Sequence, residues 1–548
     1  MRTGFARSLL VTCAVLASAI RPATAAEADP GRGIPSLAEL EAAGARIGEI
    51  RVDTENIFDL THPSENNSFY RLANDLHFQT RPRVILRALP FKSGEPFSAR
   101  AIDEAERLLR ANHFLYDADI RPVAFHDGLV DLQVTTRDTW TFSPSVNFSH
   151  SGGANKSGFA LKEGNLLGLG YAIGLSHTND IDRSSNTFSI QQDHAFGGGT
   201  SVGYSYADLT DGRSQSFALL QPFYSLESRR AYGISGSADD RVNTLYTNAT
   251  GVAQARHVRD GAEVSAGWSD GLIGGFARRY SVGITYQFDT FRAEPGLPPP
   301  APLPADQKLT APFLRYEVSE DNFQKLRNRD MIERPEYFAM GLQLVAQVGR
   351  AMTALGGDRN LWLYSGTLSK GFTVLSDRQL VASASVTGEY GSAGVERELL
   401  SVSTRYYVPQ ARHSLLFVSI AGDRTVKPTP DQQLLLGGDN GLRGYPIRYQ
   451  SGDRRALFTL EERIYTDWYP FRLFYVGGAA FCDAGRAWGG PYANTENTGW
   501  LGDVGIGLRL ASARSASNHV LHADIAFPTH RDPGIRSVQF LIKVTSAF

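Results

Sequence analysis

From Trp140 to the carboxyl terminus, apolar and polar residues alternate in segments of about ten residues, separated by clusters of Gly, Asn, Asp and Ser. Across residues 280–288 every second residue is apolar, and the segment from Val538 repeats the pattern except at Leu541. A period of two is typical of β-strands with one apolar and one polar face. The pattern therefore predicts an all-β region built from many antiparallel strands.

This all-β region has the features of a membrane barrel. After the first 25 residues, no apolar stretch is long enough to span a bilayer as a helix. A chain that crosses a membrane without helices must satisfy its backbone hydrogen bonds in a closed barrel. We therefore expect residues 139–548 to form an antiparallel transmembrane β-barrel with most insertions in extracellular loops. The Pro-rich residues 295–304 cannot lie inside a strand and are expected in a loop. A soluble β-sandwich would show similar alternation in any single strand.

The first residues resemble an export signal. Arg2 and Arg7 are followed by an apolar run at residues 9–20 and by the small residues Ala23-Thr24-Ala25. This order predicts a signal peptide at residues 1–25. Residues 26–45 are expected to form a linker with a short helix. Removal of the signal would leave a single cysteine, Cys482, so no intramolecular disulfide is expected.

Residues 46–138 predict a compact α+β unit. A strand begins near Ile47, and helical patterns follow at residues 83–89 and 98–112. Two further strands, at 119–125 and 129–135, are separated by a turn that contains Asp127-Gly128. Such a pair favours a hairpin because glycine accepts a positive φ. The unit shows no evident catalytic centre.

The charge and motif content favours a protein without enzymatic activity, cofactor or metal. The formal net charge is −2, so no basic excess points to nucleic acid. No His-Glu-x-x-His motif occurs, and the segment Gly233-Ile234-Ser235-Gly236-Ser237 lacks the last glycine of a nucleophile elbow. A lipid hydrolase embedded in the barrel wall is a minor alternative. It would need a pair such as Ser517 and His522 on one face, but their odd separation places them on opposite faces of a strand.

Four local patterns follow one another along the chain. The unit at 46–138 has a glycine-containing turn at 91–97, before its second helix. Residues 437–445 contain an Arg-Gly-Tyr triplet, residues 480–488 read Ala-Phe-Cys-Asp-Ala-Gly-Arg-Ala-Trp, and the chain ends in Phe548. This ordered set resembles the outer-membrane assembly and polypeptide-transport superfamily, which includes the BamA- and TamA-like bacterial surface antigen proteins.

The resemblance implies a barrel of sixteen strands behind a single N-terminal POTRA-like domain at 46–138. It also implies that the loop carrying Arg443 folds back into the lumen and that Arg443 contacts Asp483. Strand alternation makes Glu461 a second acidic candidate. The residues assigned to this lumen-loop latch are Arg443, Gly444, Tyr445, Asp483 and Glu461. Ordinary ion pairing in a polar lumen wall is the alternative interpretation.

Further residues are implied by the same resemblance. Phe481, Gly485 and Trp488 would support the barrel motif. Phe540 and Phe548 would form the C-terminal signal that the barrel assembly machinery reads during the protein's own insertion. The best-known relatives have several POTRA domains, whereas this chain has room for one.

The resemblance implies a bacterial outer-membrane location with the N-terminal domain in the periplasm, in contact with outer-membrane lipid. The expected function is to insert into, or translocate across, that membrane an unfolded or extended polypeptide client captured by the POTRA-like domain. Either the lumen or the seam between the first strand (141–150) and the last (537–548) could carry the client. A passive diffusion porin is the main alternative.

Overall fold

The computed structural model of the protein describes residues 34–151, 153–197, 199–375, 377–411, 413–438, 440–494, 498–513, 519–530 and 535–546. The predicted signal peptide and Phe548 lie outside the described residues, as does Ser517. The helices are α1 (Leu37–Ala42), α2 (Ser68–Leu76), α3 (Pro82–Ala88) and α4 (Ala99–Arg110). In the described part of the chain, no helix combines the length and the apolar composition that a membrane crossing requires.

The N-terminal unit packs α1, α3 and α4 against a three-stranded sheet. Its strands are β1 (Arg46–Glu55), β2 (Leu115–His126) and β3 (Leu129–Asp138). The sheet order is β1-β3-β2, with β1 parallel and β2 antiparallel to β3. Helix α4 follows Ser98 at its N-cap, and its Ile102, Ala105 and Leu109 are buried against the sheet. The apolar face predicted by that spacing therefore forms the core of the unit.

The remaining strands build a second, much larger sheet and two separate hairpins. They are β4 (Phe142–Ser151), β5 (Ala154–Glu163), β6 (Tyr171–Asn179), β7 (Ser184–Gln192), β8 (Ser201–Leu209), β9 (Gly212–Gln221), β10 (Arg230–Thr247), β11 (Thr250–Ile273), β12 (Phe276–Ala293), β13 (Gln307–Glu320), β14 (Phe323–Arg327), β15 (Pro335–Ala339), β16 (Gln343–Ala351), β17 (Leu361–Val374), β18 (Arg378–Gly391), β19 (Gly394–Ala411), β20 (Ser414–Val426), β21 (Leu434–Leu436), β22 (Gln450–Gly452), β23 (Arg454–Tyr465), β24 (Phe474–Trp488), β25 (Leu501–Ser512), β26 (His519–Pro528) and β27 (Gln539–Ser546). Each strand of the large sheet runs antiparallel to the next along the chain, and β27 lies beside β4, so the strand order is circular.

Side chains alternate across this sheet as the sequence predicts. Tyr280, Val282 and Ile284 on β12 are exposed on the outer surface, whereas Ser281 and Asp289 on the same strand are buried. An apolar outer face and a polar inner face are the features of a membrane barrel. The expected all-β barrel architecture is therefore present.

The strand count differs from the expectation. In the part of the chain that the structure describes, twenty strands follow one another in the sheet, rather than sixteen. The number sixteen came from the resemblance and not from the turns of this chain. Strands β4 to β9 are only nine or ten residues long, and strands of this kind give weak individual signals in a sequence.

The N-terminal unit lies at the end of the barrel where β4 begins, which we call the domain end; the opposite end is the far end. Contacts with turns between barrel strands hold the N-terminal unit at the domain end. The amide of Arg81 donates to the carbonyl of Gly168 at 3.0 Å, and the hydroxyl of Tyr224 donates to the carbonyl of Ala88 at 2.8 Å. The hairpin β14–β15 also lies at the domain end, between β13 and β16.

Candidate functional site

The loop between β20 and β23 folds into the barrel from the far end. The hairpin β21–β22 stiffens its base, and the carboxamide oxygen of Asn440 accepts from the amide of Gly437 at 2.7 Å. Leu442 and Tyr445, near its tip, are fully buried. The loop also reaches the wall opposite its own strands, because Arg448 pairs with Asp182 in the turn between β6 and β7. We call residues 427–453 the lumen loop.

Arg443 is the centre of the contacts between the lumen loop and the wall. Its Nε donates to Oδ2 of Asp483 at 2.7 Å, and its Nη2 donates to Oδ1 of the same carboxylate at 3.0 Å. Its Nη1 reaches Glu461 at 2.9 Å and Asp524 at 3.4 Å. The guanidinium also lies 3.3 Å from the centre of the Phe481 ring. A planar fork that is bidentate to one carboxylate and stacked on a ring fixes both position and orientation.

Two further arginines complete a buried charge cluster. Nη2 of Arg509 donates to Glu461 at 3.1 Å, and Arg509 also pairs with Asp524. Nε of Arg463 donates to the other oxygen of Glu461 at 3.0 Å. Three guanidinium groups therefore face three nearly inaccessible carboxylates on β23, β24 and β26. A network of this kind specifies one geometry, because removing one member leaves a buried charge unpaired.

The two residues after Arg443 bind the loop tip to β25 through hydrogen bonds. The amide of Gly444 donates to Oδ2 of Asp503 at 2.9 Å, and the hydroxyl of Tyr445 donates to the carbonyl of Gly502 at 3.0 Å. A Cβ on Gly444 would lie 2.6 Å from Cβ of Asp503 and 3.0 Å from the backbone nitrogen of Pro528. Position 444 therefore requires glycine because the backbone approaches the wall too closely for a side chain.

The other predicted residues have different surroundings. Phe481 is buried beneath the guanidinium of Arg443, and Gly485 lies close to Leu436 of the lumen loop. The carbonyl of Trp488 accepts from the amide of Asp453, at the foot of the loop. Phe540 is exposed on the outer surface and does not join the cluster.

Sequence reasoning missed Arg509, Asp524 and Asp503. Arg509 stands between Leu508 and Leu510, and Asp524 stands between Ala523 and Ile525. A charged residue between two apolar neighbours in a barrel strand indicates a side chain that faces the lumen. That signal was available, but it does not tell which strands lie next to one another in space.

A second element approaches the cluster from the domain end. Residues 321–342, which contain β14 and β15, form what we call the plug hairpin. Its Met331 and Ile332 are buried against the inner wall. The hydroxyl of Tyr407 on β19 donates to Asp330 at 3.0 Å, and Nη1 of Arg463 lies 3.6 Å from the same carboxylate. Arg463 on β23 therefore connects the two elements. It lies near Asp330 of the plug hairpin and donates to Glu461, which also binds Arg443 of the lumen loop.

These elements divide the interior into two unequal spaces. A cavity of about 320 Å³ remains between the plug hairpin and the lumen loop, bordered by Asp330, Arg443 and Arg463. A much larger cavity, of about 2030 Å³, follows β4 to β12 and is lined by a mixture of small, polar, charged and apolar side chains. The half that holds the plug hairpin and the lumen loop is therefore largely filled, and the other half is wide and open. Within the described residues, no group of His, Cys, Asp and Glu has an arrangement suited to a metal ion.

The comparisons with known proteins identify relatives at the level of family and fold. No curated protein sequence matches the chain. Among solved structures, BamA from Haemophilus ducreyi lacking POTRA domains 1–3 is 13% identical with a TM-score of 0.41, and the match covers 90% of this chain and 84% of that one. CdiB from Escherichia coli is 14% identical with a TM-score of 0.47, covering 91% and 76%. CdiB from Acinetobacter baumannii is 14% identical with a TM-score of 0.41, covering 91% and 74%.

At these identities and scores the structural likenesses carry no inference about activity. The family model gives the stronger result. The model described as the Omp85 superfamily domain matches residues 165–548, which is more than half of the chain and includes the lumen loop and the whole charge cluster. The family expected from the sequence motifs is therefore confirmed. The chain belongs to the Omp85 superfamily of outer-membrane β-barrel proteins.

Proposed function

We propose that this protein inserts into, or translocates across, the outer membrane a polypeptide client that its N-terminal unit captures. In this proposal residues 46–138 are a single POTRA-like domain, and the domain end of the barrel faces the periplasm. The observation that carries the proposal is a folded sheet with β2 as an edge strand, at the mouth of a barrel that has one filled and one open half. Membership in the family supports the same class of function.

Strand β2 is the proposed capture site. It lies at the edge of the order β1-β3-β2 and pairs with β3. The amides of Ala118 and Ile120 already donate to the carboxylates of Asp117 and Glu106, so the proposed site is the end of the strand beyond Pro122. An edge strand offers backbone groups to an extended peptide and binds it with little dependence on sequence. Val123 and Phe125 of β2 are exposed, so the edge also offers apolar side chains. A client that is still unfolded has apolar residues free to meet them.

The open cavity is the proposed route beyond the domain. Its lining includes Phe142 and Ser145 on β4 and Ile542 and Lys543 on β27. It therefore borders the seam between the first and last strands, where Pro144 cannot donate a backbone hydrogen bond. A client that crosses through the lumen and one that leaves sideways through the seam would meet the same lining of polar and apolar side chains.

Photo-crosslinking in living cells tests the capture step. A photoreactive amino acid at Val123 is expected to yield adducts with several polypeptides of different size, because edge pairing tolerates many sequences. The matched control places the same group at Leu303, an exposed residue in the far-end loop between β12 and β13. Equal adduct yields at the two positions would contradict capture at β2.

The same structure leaves a passive diffusion pore as the alternative, because a cavity of about 2030 Å³ could pass small solutes. The two functions differ in their consequences. A pore predicts uptake defects in a deletion strain with no change in surface protein assembly, and polypeptide handling predicts the reverse.

A further inference from the structure

Helix α2 carries an apolar surface that its own domain does not bury. The helix begins after Asn67, whose side chain accepts from the amide of Tyr70 at 3.0 Å. Its inner face is formed by Tyr70 and Ala73, which pack with Ile57 and Phe58 in a small core. The helix is therefore held in place by that core, and its remaining faces are open.

Three large apolar residues project from the open side. Phe69, Leu72 and Leu76 are 60%, 55% and 63% exposed. Positions i, i+3 and i+7 share one face of a helix, so the three side chains form a single strip. Phe78, just beyond the helix, is also largely exposed and extends it. A contiguous apolar strip of this kind on a folded domain marks an interaction surface.

The strip lies at the rim of the barrel. The hydroxyl of Tyr70 donates to the carbonyl of Phe471 at 2.8 Å, in the turn between β23 and β24. Arg472 in the same turn donates to the hydroxyl of Ser64, and Leu473 packs against the core beneath α2. These contacts place α2 beside the domain end of β23 and β24.

The turns at the domain end are themselves apolar. Among the residues whose exposure the structure describes, the three most exposed large apolar side chains are Phe471, Phe196 and Leu375, at 80%, 79% and 70%. They belong to three different turns, and antiparallel alternation puts all three turns at the domain end. Ile464 and Phe474, at the adjoining ends of β23 and β24, are exposed as well.

An apolar surface thus continues from the outer wall of the barrel, over the turn at Phe471, to the strip on α2. The outer wall of a membrane barrel is covered by lipid, and aromatic residues collect where lipid meets water. Because the strip continues a surface that lipid covers, lipid is the expected occupant of the strip as well.

We propose that α2 lies in the interfacial layer of the periplasmic leaflet, with Phe69, Leu72 and Leu76 turned toward phospholipid. An amphipathic helix can bury such a face at the boundary between headgroups and acyl chains. Arg71 and Asp75, the charged residues of α2, are exposed outside the strip and carry opposite charges. Binding is therefore expected to depend on apolar contact rather than on anionic lipid.

This inference rests on the outer-membrane location of the barrel and on the proposed periplasmic orientation of its domain end, and not on a polypeptide client. Its consequence is geometric, because a domain fixed to both the rim and the leaflet has little freedom to rotate. The membrane would then fix the direction in which the edge of β2 points.

Depth-dependent quenching tests the inference in the full-length protein. In a Cys482→Ala background, Leu72→Cys is labelled with an environment-sensitive fluorophore and reconstituted into phosphatidylethanolamine and phosphatidylglycerol vesicles. We expect blue-shifted emission and about threefold stronger quenching by acyl-chain spin labels than at the matched control Asp75→Cys, because only the strip enters the boundary layer. Water-like emission at position 72, or equal quenching at both positions, would overturn the proposal.

Two further readouts complete the test. Emission that is blue-shifted at 72 but unaffected by lipid quenchers would mean that protein covers the strip, and this too would overturn the proposal. Adding Phe69→Ser and Leu76→Ser is expected to reduce quenching at 72 to the level found at 75. Heat-modifiable migration in gels verifies that each variant barrel is folded. Since the vesicles contain no client, failure here would leave the crosslinking result at Val123 unaffected.

Discussion

Replacing Arg443 by alanine is expected to free the lumen loop from the wall. The change removes a bidentate bond to Asp483 and leaves Glu461 and Asp524 with fewer cationic partners in a site that is almost closed to water. Breaking a buried, hydrogen-bonded ion pair by deleting one partner typically costs about 3–5 kcal/mol. The loop should then become sensitive to added protease, and single-channel conductance in planar bilayers should rise and fluctuate.

Two comparisons make the Arg443 result specific. Arg443→Lys keeps the charge but not the fork or the ring stacking, so an intermediate loss of loop protection is expected. Arg315→Ala removes a lumen ion pair with Glu263, which lines the open cavity. It should leave the loop protected. Full protection of the loop in Arg443→Ala would show that its contacts are ordinary wall chemistry and not a latch.

Removing the plug hairpin is expected to open the filled half of the barrel. Replacing residues 323–339 by a short Gly-Ser linker deletes Asp330, Met331 and Ile332, which occupy the interior beneath the charge cluster. Among the described residues, the strands β14 and β15 pair with each other and are not part of the circular sheet. The barrel strands therefore keep their neighbours when the hairpin is removed. We expect a large, steady conductance in bilayers and increased sensitivity of cells to antibiotics that the outer membrane normally excludes.

The control for the plug hairpin is a shorter loop replacement at the far end. Exchanging residues 296–304, in the Pro-rich loop between β12 and β13, for the same linker leaves the plug hairpin and its contacts in place. Conductance should then stay near that of the unaltered protein. If the plug-hairpin variant conducts no more than this control, the hairpin does not obstruct the barrel.

Much of the architecture could be predicted because it follows from local patterns. The period of two assigned Tyr280 and Ser281 to opposite faces, and the structure has them exposed and buried. The helical spacing of Ile102, Ala105 and Leu109 located the core face of α4. Family motifs suggested that Arg443 and Asp483 face each other, and their side chains lie 2.7 Å apart. Their role as a latch remains a prediction.

What could not be predicted depends on contacts between distant segments. Arg509 and Asp524 join the cluster because β25 and β26 follow β24 around the barrel, and alternation within a strand does not give that order. The two strands of the plug hairpin are five residues long, and no local pattern distinguishes them from short barrel strands. The position of α2 beside the barrel rim likewise depends on a distant contact, that of Tyr70 with Phe471.

The central claim is that this protein handles polypeptides, and the most direct test compares the outer-membrane and secreted proteomes of cells with and without the gene. The account predicts selective loss of one protein or a small set from one of these fractions, restored by the unaltered gene but not by a variant lacking residues 46–138. Unchanged proteomes, together with a defect only in the uptake of small solutes, would contradict it and identify the protein as a diffusion pore.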